Sequence, residues 1–110
     1  MNNDMSTVIK VIAVGNGAAF NQPVWIENYD VDAPPAADGF VSVHDDHAVI
    51  SSPLGGRITL TTDHANARRF PSMAEAFEAW NTVSTMRPTR PDGEPNKPLT
   101  ALTVEIESAR

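Results

Sequence analysis

Short apolar stretches, each closed by a turn signal, recur along this chain. Residues 7–14 (TVIKVIAV) are rich in β-branched side chains and predict a strand. Gly15-Asn16-Gly17 follows, with residues that tolerate positive φ. In 23–29 (PVWIENY), Val24 and Ile26 fall on one side and Trp25, Glu27 and Tyr29 on the other, which predicts a second strand. Residues 30–39 (DVDAPPAADG) read as a loop, because Pro34-Pro35 cannot serve in a central strand. Residues 40–44 and 47–51 predict a hairpin around Asp45-Asp46, since two-residue connections are the commonest hairpin loops. A turn at 52–56 (SPLGG) leads to a strand at 57–61 (RITLT), which completes an antiparallel meander.

The period then changes. Asp63 is a good N-cap, and Ala67 and Phe70 share one face of a short helical turn. After Pro71, Ser72 and Glu75 form an S-x-x-E capping box. Met73, Ala76, Phe77, Trp80 and Val83 follow at helical spacing, with Glu75, Glu78, Thr82 and Thr85 opposite them. This pattern predicts an amphipathic helix on one face of the sheet, with Phe77 and Trp80 in the main core. Residues 86–98 (MRPTRPDGEPNKP) hold Pro88, Pro91, Pro95 and Pro98, which no regular element survives. Residues 99–107 (LTALTVEIE) predict a last strand with Leu102, Val104 and Ile106 inward. The expected architecture is α+β: a mainly antiparallel sheet of five or six strands with one principal amphipathic helix on one face.

Length fits this reading, since 110 residues make one domain, 1–110, with a single modest core. No internal repeat is visible. The start, Met1-Asn2-Asn3-Asp4, lacks the basic opening of a signal peptide, so a cytoplasmic location is expected. The absence of cysteine excludes disulfides, thiolate zinc sites and cysteine nucleophiles.

Charge changes the picture more. The net charge is −6, and the excess lies in residues 27–63, where Glu27, Asp30, Asp32, Asp38, Asp45, Asp46 and Asp63 face Arg57 alone. Such a run is either a solubilising surface or an acidic face for a basic partner. It argues against direct binding to nucleic acid or to an anionic membrane. If the end of the second strand and the hairpin tip share one end of the sheet, the carboxylates form a single negative face. Arg68-Arg69 and the pair Arg87, Arg90 are the basic features; Arg87 and Arg90, in the proline-rich segment, are a further candidate contact surface.

Candidate chemistry is sparse. His44-Asp45-Asp46-His47 has metal-ligand composition, and His64 could join it, but the spacing matches no established zinc motif. The two histidines also fit a simple cross-strand pair. No G-x-S-x-G elbow, phosphate loop or dinucleotide fingerprint is present. No cofactor, metal or enzymatic activity is expected, and the leading class is non-catalytic protein binding.

Two stretches carry a resemblance. Residues 62–76 have the form T-D-x-x-x-A-x-x-F-x-x-x-x-E-A, and residues 87–101 read R-P-x-R-P-D-G-x-P-N-x-P-L-T-A. Together they are similar to small, uncharacterised proteins encoded by phages and prophages. The resemblance covers the C-terminal half and implies origin on a mobile element, with no residue roles. Small acidic phage proteins include anti-CRISPR and other anti-defence inhibitors, which often occupy a partner's nucleic-acid site. The resemblance therefore points to an inhibitor whose acidic surface covers a basic site of a host defence complex. The alternatives are a structural or assembly accessory of a phage particle, and a small metal-dependent enzyme built on the histidine pair.

Overall fold

The computed structural model describes residues 6–15, 17–35, 40–44 and 47–109, with backbone alone for 40–44 and His47. The strands are β1 (Thr7–Val14), β2 (Trp25–Asp30), β3 (Phe40–His44), β4 (His47–Ser51), β5 (Arg57–Thr61) and β6 (Leu102–Ser108). They form an antiparallel sheet in the order β3-β4-β5-β2-β1-β6, an α+β arrangement with one helix, α1 (Met73–Trp80). Consecutive strands β3, β4 and β5 make the expected meander. The first and last strands pair with each other, and β6 occupies one edge.

The seam between β1 and β2 is thin. Their register holds a single pair, Lys10 with Trp25. Beyond it the two strands diverge, and residues 68–70 fill the gap. Phe70 exchanges both backbone hydrogen bonds with Thr7 of β1, at 2.8 and 3.1 Å, while the Arg68 N–H donates to the Ile26 carbonyl of β2 at 2.9 Å. Phe70 thereby enters the core as a wedge, and the Arg68 guanidinium covers it from outside, 5.7 Å from its ring centroid and 4.9 Å from that of Tyr29.

The core lies on the helix side of the sheet. Ile9 and Val11 of β1, Ile26 of β2, Ile58 and Leu60 of β5 and Leu102 of β6 are buried there with Val24, Phe70 and Leu99. Each such side chain contributes about 1.5–3 kcal/mol on leaving water. Two glycines let the covering loops approach closely. Gly55 and Gly56 adopt φ of 95° and 101°, and a methyl group on Gly56 would lie 2.5 Å from Pro98 Cβ.

The helix differs from the sequence pattern. Its start is as expected, with Ser72 Oγ accepting from the Glu75 N–H at 3.1 Å. It ends at Trp80 after eight residues. Its inward face is Ala76 and Ala79, whereas Met73 and Phe77 are 54% and 55% exposed and Val83 is also exposed. Trp80 is half-buried. With about 100° per residue, the buried face is rotated by roughly 70–80° from the centre of the apolar stripe. The alanines bring the helix backbone close to the sheet, and the larger side chains overhang toward β6. The last strand also starts later than the pattern suggested, because Pro98–Ala101 forms a 3-10 turn in which Pro98 and Leu99 are buried. A 3-10 turn at His64–Asn66 carries the expected Asp63 cap, whose carboxylate accepts from the Ala65 N–H. Among the described residues no helix is long and apolar enough to cross a membrane.

Candidate functional site

Strand register decides where the acidic residues lie. Asp30 pairs with Arg57, and Arg57 with Ser51, so the end of β2 sits beside the open end of the β3–β4 hairpin. His44 and His47, which flank Asp45-Asp46, pair with each other, and His47 lies opposite Thr61, itself opposite Trp25. The end of β2 and the strand ends at His44 and His47 thus lie at opposite ends of the sheet. Asp38, Asp45 and Asp46 themselves, and the side chains of His44 and His47, lie outside the described residues. Glu27 is the extra residue of a bulge between Ile26 and Asn28 and is half-buried.

Asp30 and Asp32 are engaged within the chain. Asp30 accepts from the Asp32 N–H at 3.0 Å and lies 3.9 Å from the Arg57 guanidinium. Asp32 organises a turn more than fifty residues away. Its carboxylate accepts from Thr85 Oγ1 at 2.6 Å, Ser84 Oγ at 2.9 Å and the backbone N–H groups of Thr85 and Met86 at 2.7 and 3.0 Å. These donors, led by the Thr85 hydroxyl and the Met86 N–H, hold its pKa down at about 2 against a mild desolvation penalty.

The same network reaches the proline-rich segment, which is ordered by side-chain-to-backbone bonds rather than by a regular element. Asn96 is 4% exposed and stands at its centre. Its Nδ2 donates to the carbonyls of Arg87 and Leu54 at 2.9 and 3.1 Å, its N–H to the Pro88 carbonyl, and its own carbonyl accepts from the Ser84 N–H. Arg87 is held by this framework: its N–H donates to Ser84 Oγ, and its Nη1 is buried against Gly55. Arg90 closes a tight turn with Asp92, at 2.7 Å, and that carboxylate raises the arginine pKa while its own falls. Arg87 Nη1 has no hydrogen-bond partner there, and the Arg90–Asp92 pair lies at the surface.

His64 packs edge-on against Trp25, ring centroids 4.9 Å apart. Among the described residues no three His, Asp or Glu side chains come together around a point where an ion could sit.

A different surface emerges between α1 and β6. Phe77 and Trp80, with ring centroids 6.0 Å apart, overhang the strand and enclose a groove of about 430 Å³ with Leu102, Val104 and Ile106 on its floor. Trp80 Nε1 donates to the Leu102 carbonyl at 3.3 Å and fixes the indole at one end of the groove. On the other face of β6, Glu105 stands opposite Lys10, and Glu107 accepts from Trp25 Nε1 at 3.1 Å. The stripe Met73, Phe77 and Trp80 was visible in the sequence as core. Only the small size of Ala76 and Ala79 signals that the helix could turn its larger side chains outward. These features define a small α+β domain with an apolar groove along an open sheet edge. No protein-family model, curated protein or solved structure matches the chain.

Proposed function

We propose that this chain is a non-catalytic module that binds a basic protein. The observation that carries the reading is the exposed apolar flank of α1, where Met73 and Phe77 are each more than half exposed beside a groove on β6. Large apolar side chains in contiguous exposure mark interaction surfaces. The net charge of −6 supports a basic partner and repels a nucleic-acid backbone. Asp30 and Asp32 contribute to this field while bonded within the chain, and Glu105 and Glu107 stand on the face of β6 opposite the groove.

The narrower form of the proposal is a mobile-element inhibitor that occupies the nucleic-acid site of a host defence complex. Its support is the resemblance of residues 62–76 and 87–101 to phage and prophage proteins, together with the acidic balance. The test is reconstitution from purified components. Candidate partners captured from a bacterial host are purified, and binding is measured at low and high salt, with and without the partner's nucleic acid. The expected result is a complex that weakens as salt rises, is excluded by bound nucleic acid, and is lost in Phe77→Ser. Direct binding of DNA or RNA by the isolated chain, or a complex indifferent to Phe77→Ser, overturns the reading.

A further inference from the structure

β6 is the last strand of the sheet on its side, and the direction of its backbone groups follows from its pairing with β1. The Val11 N–H donates to the Val24 carbonyl, toward β2. Groups on one strand residue point the same way and alternate along the strand, so Ile9 and Val11 face β2 while Val8 and Lys10 face β6. Their register partners are Ile106 and Val104 for the first pair, Glu107 and Glu105 for the second. Glu105 and Glu107 therefore bond to β1, and Val104 and Ile106 direct N–H and C=O away from the sheet. The Trp80 indole occupies the Leu102 carbonyl and stops there. Between Leu102 and Ser108 the edge has no proline or glycine to blunt it.

We propose that this edge accepts an extended segment of the partner as an added antiparallel strand, with apolar and basic residues in alternation. The proposal rests on the protein-binding reading above and names the form of the partner. An added strand would bond to Val104 and Ile106. Every second side chain would enter the groove beneath Phe77 and Trp80, and the intervening ones would stand beside Glu105 and Glu107. Lys10 stands opposite Glu105, whereas Glu107 stands opposite Val8, so lysine or arginine in the added strand gives Glu107 a cation of its own. The same carboxylates disfavour a second copy. Antiparallel pairing of two β6 edges about Ile106 would set Glu105 of each copy against Glu107 of the other, and like charges directly opposite are destabilising.

The probe is a synthetic peptide matching the seven residues of β6 in length, alternating Val and Lys, with a Val/Glu peptide as its charge control. Amide exchange is followed by NMR on the full chain. Free-edge amides exchange openly, so at a peptide concentration of ten times Kd the Val104 and Ile106 amides should slow about tenfold. N-methylation of the peptide's edge-facing amides should abolish the effect. The charge-reversed variant carrying Glu105→Lys and Glu107→Lys should prefer Val/Glu to Val/Lys. Equal binding of the N-methylated peptide, or protection confined to residues outside β6, overturns the proposal. Protection that grows with protein concentration in the absence of peptide overturns it in favour of a second copy. If a protein partner binds the parent and the charge-reversed variant alike, the strand proposal falls and the module reading stands. Loss of every protein partner removes both.

Discussion

The turn network around Asp32 and Asn96 and the flank formed by α1 and β6 have inverted characters. The first is built from a carboxylate, an amide and a proline-rich segment, the ingredients of a solvated loop. It is nonetheless closely bonded, because the Asp32 carboxylate and the Asn96 amide find backbone or hydroxyl partners at 2.6–3.1 Å, while Arg87 Nη1 is buried without one. The second is built from Met73, Phe77 and Trp80, the ingredients of a core, and it faces outward. Residue polarity sets what a side chain needs, whereas the closest approach of backbones sets which side chains receive it. Two alanines fix the helix against the sheet, and one asparagine fixes four backbone groups of a loop.

The sharpest way to break this contrast is Asn96→Ala. It leaves the Leu54 and Arg87 carbonyls without their donor and should cost about 2–6 kcal/mol, from two part-buried hydrogen bonds at about 1–3 kcal/mol each. Urea denaturation should show a lower midpoint with an unchanged slope. A loss below about 0.5 kcal/mol, the range of ordinary surface changes, would make the loop no better anchored than a surface strand end.

The Asp32 contribution can be isolated by pH. Its folded pKa of about 2 lies below the ordinary 3.8, so the unfolded chain takes up this proton first as pH falls. Stability from Asp32 is therefore fully present above about pH 4 and is lost between about pH 4 and 2. The midpoints of the parent and of Asp32→Asn should differ near neutrality and converge through that window. A constant difference down to pH 2 would assign the effect to shape rather than to charge. The smallest expected effect is on the other side of the comparison. Phe77→Ala should change stability by no more than about 0.5 kcal/mol, as for a surface position. A loss of about 3–5 kcal/mol would place the ring in the core after all.

Strand positions were the most legible part of the sequence, because β-branched runs between turn residues specify extended backbone locally. Residues 7–14, 40–44, 47–51 and 57–61 are strands in the spans their patterns gave, and Ser72 caps α1. The Asp63 cap was legible for the same reason. The rotation of α1 was not, since periodicity records that a helix has an apolar stripe but not which edge of it meets the sheet. Val83 extended the pattern past the point where the helix stops, and Leu99 suggested a strand where Pro98 imposes a 3-10 turn. The role of Asp32 was hidden for another reason. Its donors lie at 84–86, and no short-range spacing links a loop aspartate to a distant Ser-Thr pair. The placement of Asp30 and of His44 and His47 at opposite ends of the sheet follows from register, which the charge run alone does not encode.

Pairing of β1 with β6 has a kinetic consequence. Val8 meets Glu107 from 99 positions away, whereas His44 meets His47 from three. Closing a loop of about 100 residues costs roughly 3 kcal/mol more in chain entropy than closing one of about three. The 40–61 meander can assemble from local contacts, but the ribbon that carries Ile9 and Val11 gains its partner only when the final residues arrive. Closure of β1 onto β6 is therefore the expected late step, and Phe70 bonded to Thr7 holds the first strand in place until then. During synthesis, the groove beside β6 would form only once residues 102–108 had emerged.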